Sequence, residues 1–298
     1  MYDFAESDTV ARSTRTDART SLPGNYQVRL IVSSRRIAII DNVIGCHAIG
    51  GSGIGISIES SWVHVGQDAD GSLGPNHIGV QPNGSKIPND AGVTFFSIGG
   101  FVTATNNSVL SNTIAGNLGD GVDLVGSATS RYLISGTVIY GNGHDGICEN
   151  GVASDNVWTH VSIYQNGGLG INKNGDCFSQ PGQSEAIDPP YPVITSVEPA
   201  THVVHGTASP SAACPFFCVT VELYRVFPNP KGFGEGKTFV GATATDSQGN
   251  WSLTDPAFSG GCYTAFETTY QFLFSGSHEY SSEFGPDNCR TWLPLVRK

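Results

Sequence analysis

Short runs of alternating apolar and polar residues, each three to six long, recur from about Gln27 to Lys173. They are broken by Gly, Asn and Asp too often for an amphipathic helix, and they read as brief strands joined by tight turns. Three segments superpose: Asn112–Val122, Thr137–Ile147 and Val161–Ile171. Ile114, Ile139 and Ile163 correspond, at spacings of 25 and 24 residues. Asn117, Asn142 and Asn166 keep the same register, as do Gly121, Gly146 and Gly170, and then Val122, Ile147 and Ile171. A period of 24–25 residues with no helical pattern inside it suits one coil of a β-solenoid. One coil cannot bury its own apolar face, so the aligned aliphatics are predicted to stack as ladders. The aligned Asn and Gly are predicted at corners, where Gly supplies positive φ and Asn satisfies backbone groups.

Upstream the repeat is less regular. Asn42–Gly45 and Ile54–Ile58 read as one coil, Val63–Gly66 and His77–Val80 as the next, and Val93–Ile98 as the start of another. This predicts about six coils between Gln27 and Lys173. After Lys173 the texture changes. Longer alternating strands, Val219–Val226, Thr238–Thr245, Trp251–Leu253 and Tyr263–Phe274, follow at sandwich-like spacing, the second and third of them bracketing the turn Asp246–Asn250. The expected organisation is an irregular segment or partial cap over 1–27, a parallel β-helix over 28–173, a linker over 174–191, a β-sandwich over 192–287 and a tail over 288–298. The linker is expected to cover the open C-terminal end of the solenoid.

Composition narrows the function. Of 298 residues, 38 are Gly and only 14% are charged, with a net charge of -11. A deficit of positive charge disfavours nucleic acid and anionic membrane surfaces as partners. No apolar run approaches the length of a membrane span. Seven cysteines give the chain an extracellular look that its N-terminus, without a leader pattern, does not share; a truncated start is the expected explanation. No cofactor is expected, and a monomer is.

The repeats Asn112–Val122, Thr137–Ile147 and Val161–Ile171, the longer stretch Val65–Gly74 and the closing Gly168–Ile171 resemble the secreted bacterial right-handed parallel β-helix proteins of pectin-lyase-like fold. The stretch from Pro192 to Phe284, with Gly232–Gly241 and the turn before Trp251, is similar to the immunoglobulin-like module that commonly follows such helices. The resemblance implies an all-β chain on the cell surface or outside it, and it leaves activity open. The final stretch Leu293–Lys298 is similar to short tails on some bacterial surface proteins.

The candidate chemistry is sparse. Cys214, Cys218, Cys262 and Cys289 are disulfide candidates with three pairings open; zinc, with His202 and His205, is the alternative. Cys46, Cys148 and Cys177 allow one further bridge. Asp68–Gly71 resembles half of a calcium loop, but a polar turn explains it better. Asp120 and Asp145 occupy equivalent places in adjacent coils, with Asp123 and His144 beside them. They are the best acid/base set the chain offers for a polysaccharide lyase or glycoside hydrolase. Their Asp-Gly setting is also plain turn chemistry, with carboxylates expected to be solvated. Arg131 aligns with Asn106 and Asp155 and is expected at a turn. Tyr140 and Tyr164 also align; outward-facing, with Trp158 nearby, they would form a stacking strip for sugar rings. The leading reading is a non-enzymatic secreted or cell-surface scaffold or adhesion protein, with polysaccharide as its candidate contact on the β-helix face.

Overall fold

The computed structural model describes residues 9–12, 30–32, 37–45, 53–67, 71–97, 104–126, 130–150, 155–173, 189–212, 214, 217–226, 234–258, 260–273 and 276–289. The chain is all-β: a parallel solenoid followed by antiparallel sheets.

Three parallel walls form the solenoid. The first stacks Thr9–Arg12, Ile37–Ile40, Val63–Val65, Ser108–Leu110, Leu133–Ser135 and Val157–Thr159. The second stacks Val43–Ile44, His77–Ile78, Thr113–Ala115, Val138–Tyr140 and Ser162–Tyr164. The third stacks Leu30–Val32, Ile54–Ile58, Ala91–Phe96, Val122–Val125, Ile147–Asn150 and Ile171–Lys173. The predicted ladder is present: Ile114 pairs with Ile139 and Ile139 with Ile163, all fully buried. Val122, Ile147 and Ile171 form the corresponding column on the third wall.

The coil count departs from expectation. Among the described residues, fewer complete coils form than the six expected: those opening at Ile37, Val63, Ser108, Leu133 and Val157 each supply a strand to all three walls. Val93 does not open a new coil. Its strand, Ala91–Phe96, pairs with Ile54–Ile58 on one side and Val122–Val125 on the other, so it is the third wall of the coil that begins at Val63. Inserted loops make that coil longer than its neighbours, and length alone reads as an extra turn.

The corners use one device repeatedly. A residue in the left-handed region turns the chain, and the next residue bridges to the neighbouring coil. Asn106, Arg131 and Asp155 hold φ of 56°, 61° and 61° at one corner, so Arg131 does lie at a turn. At the corner between the second and third walls, Asn117 donates from its backbone N and Nδ2 to Asn142 Oδ1, at 3.1 and 2.9 Å. Asn142 does the same to Asn166, at 3.2 and 3.0 Å. Each rung satisfies buried groups that would otherwise be costly to bury. The aligned glycines have a different cause from the expected one. Gly121 and Gly146 are not among the positive-φ residues. A Cβ on Gly121 would sit 2.6 Å from the Gly146 carbonyl oxygen and 2.6 Å from Ile139 Cγ2. Close packing of coil on coil excludes a side chain there.

The C-terminal residues form two antiparallel sheets. One holds Val193–Glu198, Val203–Thr207 and Asn250–Thr254; the other holds Gly236–Ala244, Phe217–Val226, Tyr263–Leu273 and Gly276–Ser281. Alternation along Val219–Tyr224 sends Val221 and Leu223 into the module's own core with Val204 and Trp251. Tyr224 belongs instead to the solenoid core, with Phe266 and Phe284. The central strands are therefore buried on both faces around Tyr224 and Phe266. The module packs over the solenoid's C-terminal end; residues 174–188, which hold most of the expected linker, and residues 290–298 lie outside the described set. The sulfur chemistry is disulfide: Cys214 bonds Cys218 and Cys262 bonds Cys289, which removes the thiols that zinc would need. Cys148 is also disulfide-bonded, whereas Cys46, Cys177 and Asp68–Asp70 lie outside the described residues.

Candidate functional site

The last coil meets the module through carboxylates. Glu235 accepts from the backbone N–H groups of Gln165 and Asn166 at 2.7 and 2.9 Å, taking the place that the next Asn would hold in the ladder. Glu222 accepts from the His160 N–H at 2.8 Å and from the Thr159 hydroxyl. Glu283 accepts from the Lys173 N–H at 2.8 Å. These acids are buried because each replaces a missing coil.

The same junction claims Trp158. Its ring is the last inner rung of the first wall, fully buried, and its Nε1–H donates to the Ser282 carbonyl at 2.8 Å. Trp158 is therefore a packing residue and cannot join an exposed sugar-stacking strip. Lys173 lies buried beside it, its Nζ 5.7 Å from the ring centroid and 2.9 Å from the Ser281 carbonyl.

Tyr140 and Tyr164 pack as a parallel pair on the outer face of the second wall, ring centroids 5.1 Å apart and planes 4° from parallel. Both are half-buried. The Lys237 ammonium lies 4.7 Å from the Tyr164 centroid. The pair is a continuous aromatic surface about two coils tall.

Asp120, Asp123 and Asp145 come together, but not as solvated turn groups: all three are buried, at 2%, 1% and 0% exposure. Asp120 accepts from the Asp145 N–H at 2.6 Å. Asp145 accepts from the Leu169 N–H at 2.5 Å and from Asn172 Nδ2 at 2.7 Å. Thr94 donates to Asp123 at 3.2 Å. Burial first, and then the charge of Asp123, push the Asp120 carboxyl up to about 10. Burial also raises Asp123. The Asp120–Asp123 pair thus holds a proton at neutral pH. The expectation that turn carboxylates escape desolvation fails because these side chains lie over the third wall, under the next coil. His144 is half-buried, and its ring makes no hydrogen bond to the three acids among the described residues.

One cleft of about 750 Å³ lies at the junction, between the outer face of the first wall and the four-stranded sheet, and none of the four acid/base candidates lines it. Sequence reasoning missed this cleft, since its two sides are about 100 residues apart. A pair on the first wall was missed too: His64 Nδ1 lies 2.8 Å from Ser108 Oγ, and burial lowers the His64 pKa.

No helix among the described residues is long and apolar enough to cross a membrane. A scan against protein-family models finds no match, and no curated protein matches the chain. Among solved structures the chain is similar to the enzymatically active domain of tailspike protein 2 from bacteriophage CBA120, at 10% identity and a TM-score of 0.18, over 86% of this chain and 65% of that one. It is also similar to the tailspike gp49 of Acinetobacter baumannii bacteriophage Fri1, a capsular polysaccharide depolymerase, at 6% identity and a TM-score of 0.20, over 85% of this chain and 64% of that one. The chain spans under two thirds of the length of either tailspike. Scores of this size carry no functional weight, and the assignment of a parallel solenoid rests on strand register.

Proposed function

We propose that the chain is a non-enzymatic, extracellular or cell-surface scaffold that holds polysaccharide on the outer face of the solenoid. The stacked pair of Tyr140 and Tyr164 carries this reading, because it sets two ring edges and two phenol hydroxyls at coil spacing on the outer face, an aromatic and hydrogen-bonding surface for a sugar chain. Disulfides in both parts of the chain suit an oxidising compartment. Binding of pectin, alginate and neutral glycans to the full chain, read by calorimetry, tests it. Replacing both tyrosines by Ala is expected to weaken binding roughly tenfold or more, at about 0.5–1.5 kcal/mol per aromatic contact, with the thermal midpoint kept. Unchanged affinity in that variant overturns the proposal.

The second reading is a polysaccharide lyase or glycoside hydrolase. The raised pKa values of Asp120 and Asp123 favour it, since acid/base catalysts are tuned this way. Against it, Asp120 and Asp145 are committed to hydrogen bonds between coils, and the set is shut off from solvent. Release of unsaturated product or reducing ends from those polymers would establish this reading over the first.

A further inference from the structure

We infer that the cleft at the junction binds a short oligosaccharide that carries amino groups, with a sugar ring on Tyr270 and an ammonium against Glu279. This rests on the reading of the chain as a glycan binder, but it places a ligand at a second site with its own chemistry.

A volume of about 750 Å³ is within the range of small-ligand sites, roughly 300–1,000 Å³. Leu133 and Val157, neighbours on the first wall, give it an apolar side. Opposite them, the four-stranded sheet presents Tyr270 beside Glu279 and Thr220 beside Thr268, as cross-strand pairs. An aromatic ring, aliphatic walls and neighbouring hydroxyls are the parts a polyhydroxylated ring requires: an apolar face to stack on and polar groups to fix its orientation.

Charge selects among sugars. The cleft has three carboxylates, Asp155, Glu222 and Glu279, against the single guanidinium of Arg131. Asp155 is taken by His278, 2.8 Å away. Glu222 is taken by Thr159, the His160 N–H and the Tyr224 hydroxyl. Glu279 has no side-chain hydrogen bond or ion pair among the described residues, although the cleft walls desolvate it enough to raise its pKa. An unpartnered carboxylate beside an aromatic ring recognises a cation on a ring-shaped ligand. A uronate chain would meet net repulsion.

The test measures binding of the full chain to three probes by calorimetry: a glucosamine hexamer, an N-acetylglucosamine hexamer and a galacturonate hexamer. The wild type is expected to prefer the glucosamine hexamer to the acetylated one by about tenfold, the effect of one charge-assisted hydrogen bond, and to bind galacturonate weakest. Glu279→Gln is expected to abolish that preference, and Tyr270→Ala to weaken both amino-sugar probes. The variant with both Tyr140 and Tyr164 replaced by Ala is expected to leave hexamer binding intact. Glu279 is exposed, so its variant folds. Galacturonate binding as tight as glucosamine, or a preference that survives Glu279→Gln, overturns the inference. If only the tyrosine pair affects hexamer binding, the cleft assignment falls while the proposed function stands. If long polysaccharides bind and no hexamer does, the inference likewise fails alone.

Discussion

An inner coil and the last coil satisfy the same backbone groups in different ways. Asn117 reaches Asn142 over 25 residues, and Asn142 reaches Asn166 over 24. Asn166 reaches Glu235 over 69, Lys173 reaches Glu283 over 110, and Trp158 reaches Ser282 over 124. Inside the solenoid a neutral amide suffices in this column, because Asn89, Asn117 and Asn142 each have another Asn in the next coil. At the end there is no next coil, and a carboxylate with two acceptor oxygens takes two N–H groups at once. The end of the solenoid is therefore held by long-range contacts made with buried charge, which are strong when intact and costly when half removed.

The largest predicted effect lies inside the repeat. Ile139→Asp places an unpaired charge between Ile114 and Ile163 and is expected to abolish cooperative folding, since the effective cost is several kcal/mol. A folded variant with a near-native thermal midpoint would break the stacked ladder. At the end, Glu235→Ala leaves the Gln165 and Asn166 N–H groups without their partner, at a cost of about 2–4 kcal/mol. Hydrogen exchange is expected to speed up first in Ser162–Lys173, while the central coils stay protected. Uniform loss of protection would mean that end and centre unfold as one unit, and the contrast drawn above would fail.

The buried acids sharpen the comparison through pH. Asp120 is raised from 3.8 to about 10, so between those values the folded state binds a proton that the unfolded state has lost. Its contribution is fully present below about pH 4 and declines as pH rises toward 10. Asp120→Asn keeps an acceptor for the Asp145 N–H and removes the titration. The variant is expected to show a flatter loss of thermal midpoint between pH 5 and pH 9 than the wild type. Parallel profiles would place the proton elsewhere.

The repeat was legible because its physics is local. Isoleucines, Asn rungs and Asp-Gly turns recur at one spacing, and register follows. The junction was not legible, since nothing in Glu222, Glu235 or Glu283 marks them as partners of residues 63–110 positions away. One signal was present and went unread. On the third wall, Phe95 and Leu124 share an inward column with Glu149 and Lys173. Charged residues at core register in the last two coils indicate that something other than another coil packs there. Trp158 was misplaced for the same reason: a large ring at the end of an aliphatic column looks exposed until the module that covers it is known. Burial of Asp120, Asp123 and Asp145 needed the stacking geometry, because a single coil would leave such turns in water.

The smallest effects separate the two roles of glycine. Gly141 holds a φ of 63° at a corner where an added Cβ would meet no atom within 4 Å, and the equivalent place one coil on is Gln165 at 59°. Its requirement is conformational alone, and Asn visits the left-handed region more readily than other side chains. Gly141→Asn is expected to change stability by about 0.5 kcal/mol or less. Gly121 has an ordinary φ, but a Cβ there would press on the Gly146 carbonyl and on Ile139. Gly121→Ala is expected to cost about 1–3 kcal/mol, as overpacked sites do. Chemical denaturation of the two variants under one condition checks the order. If Gly141→Asn proves the more damaging, corner geometry rather than coil-to-coil contact governs which glycines the repeat keeps.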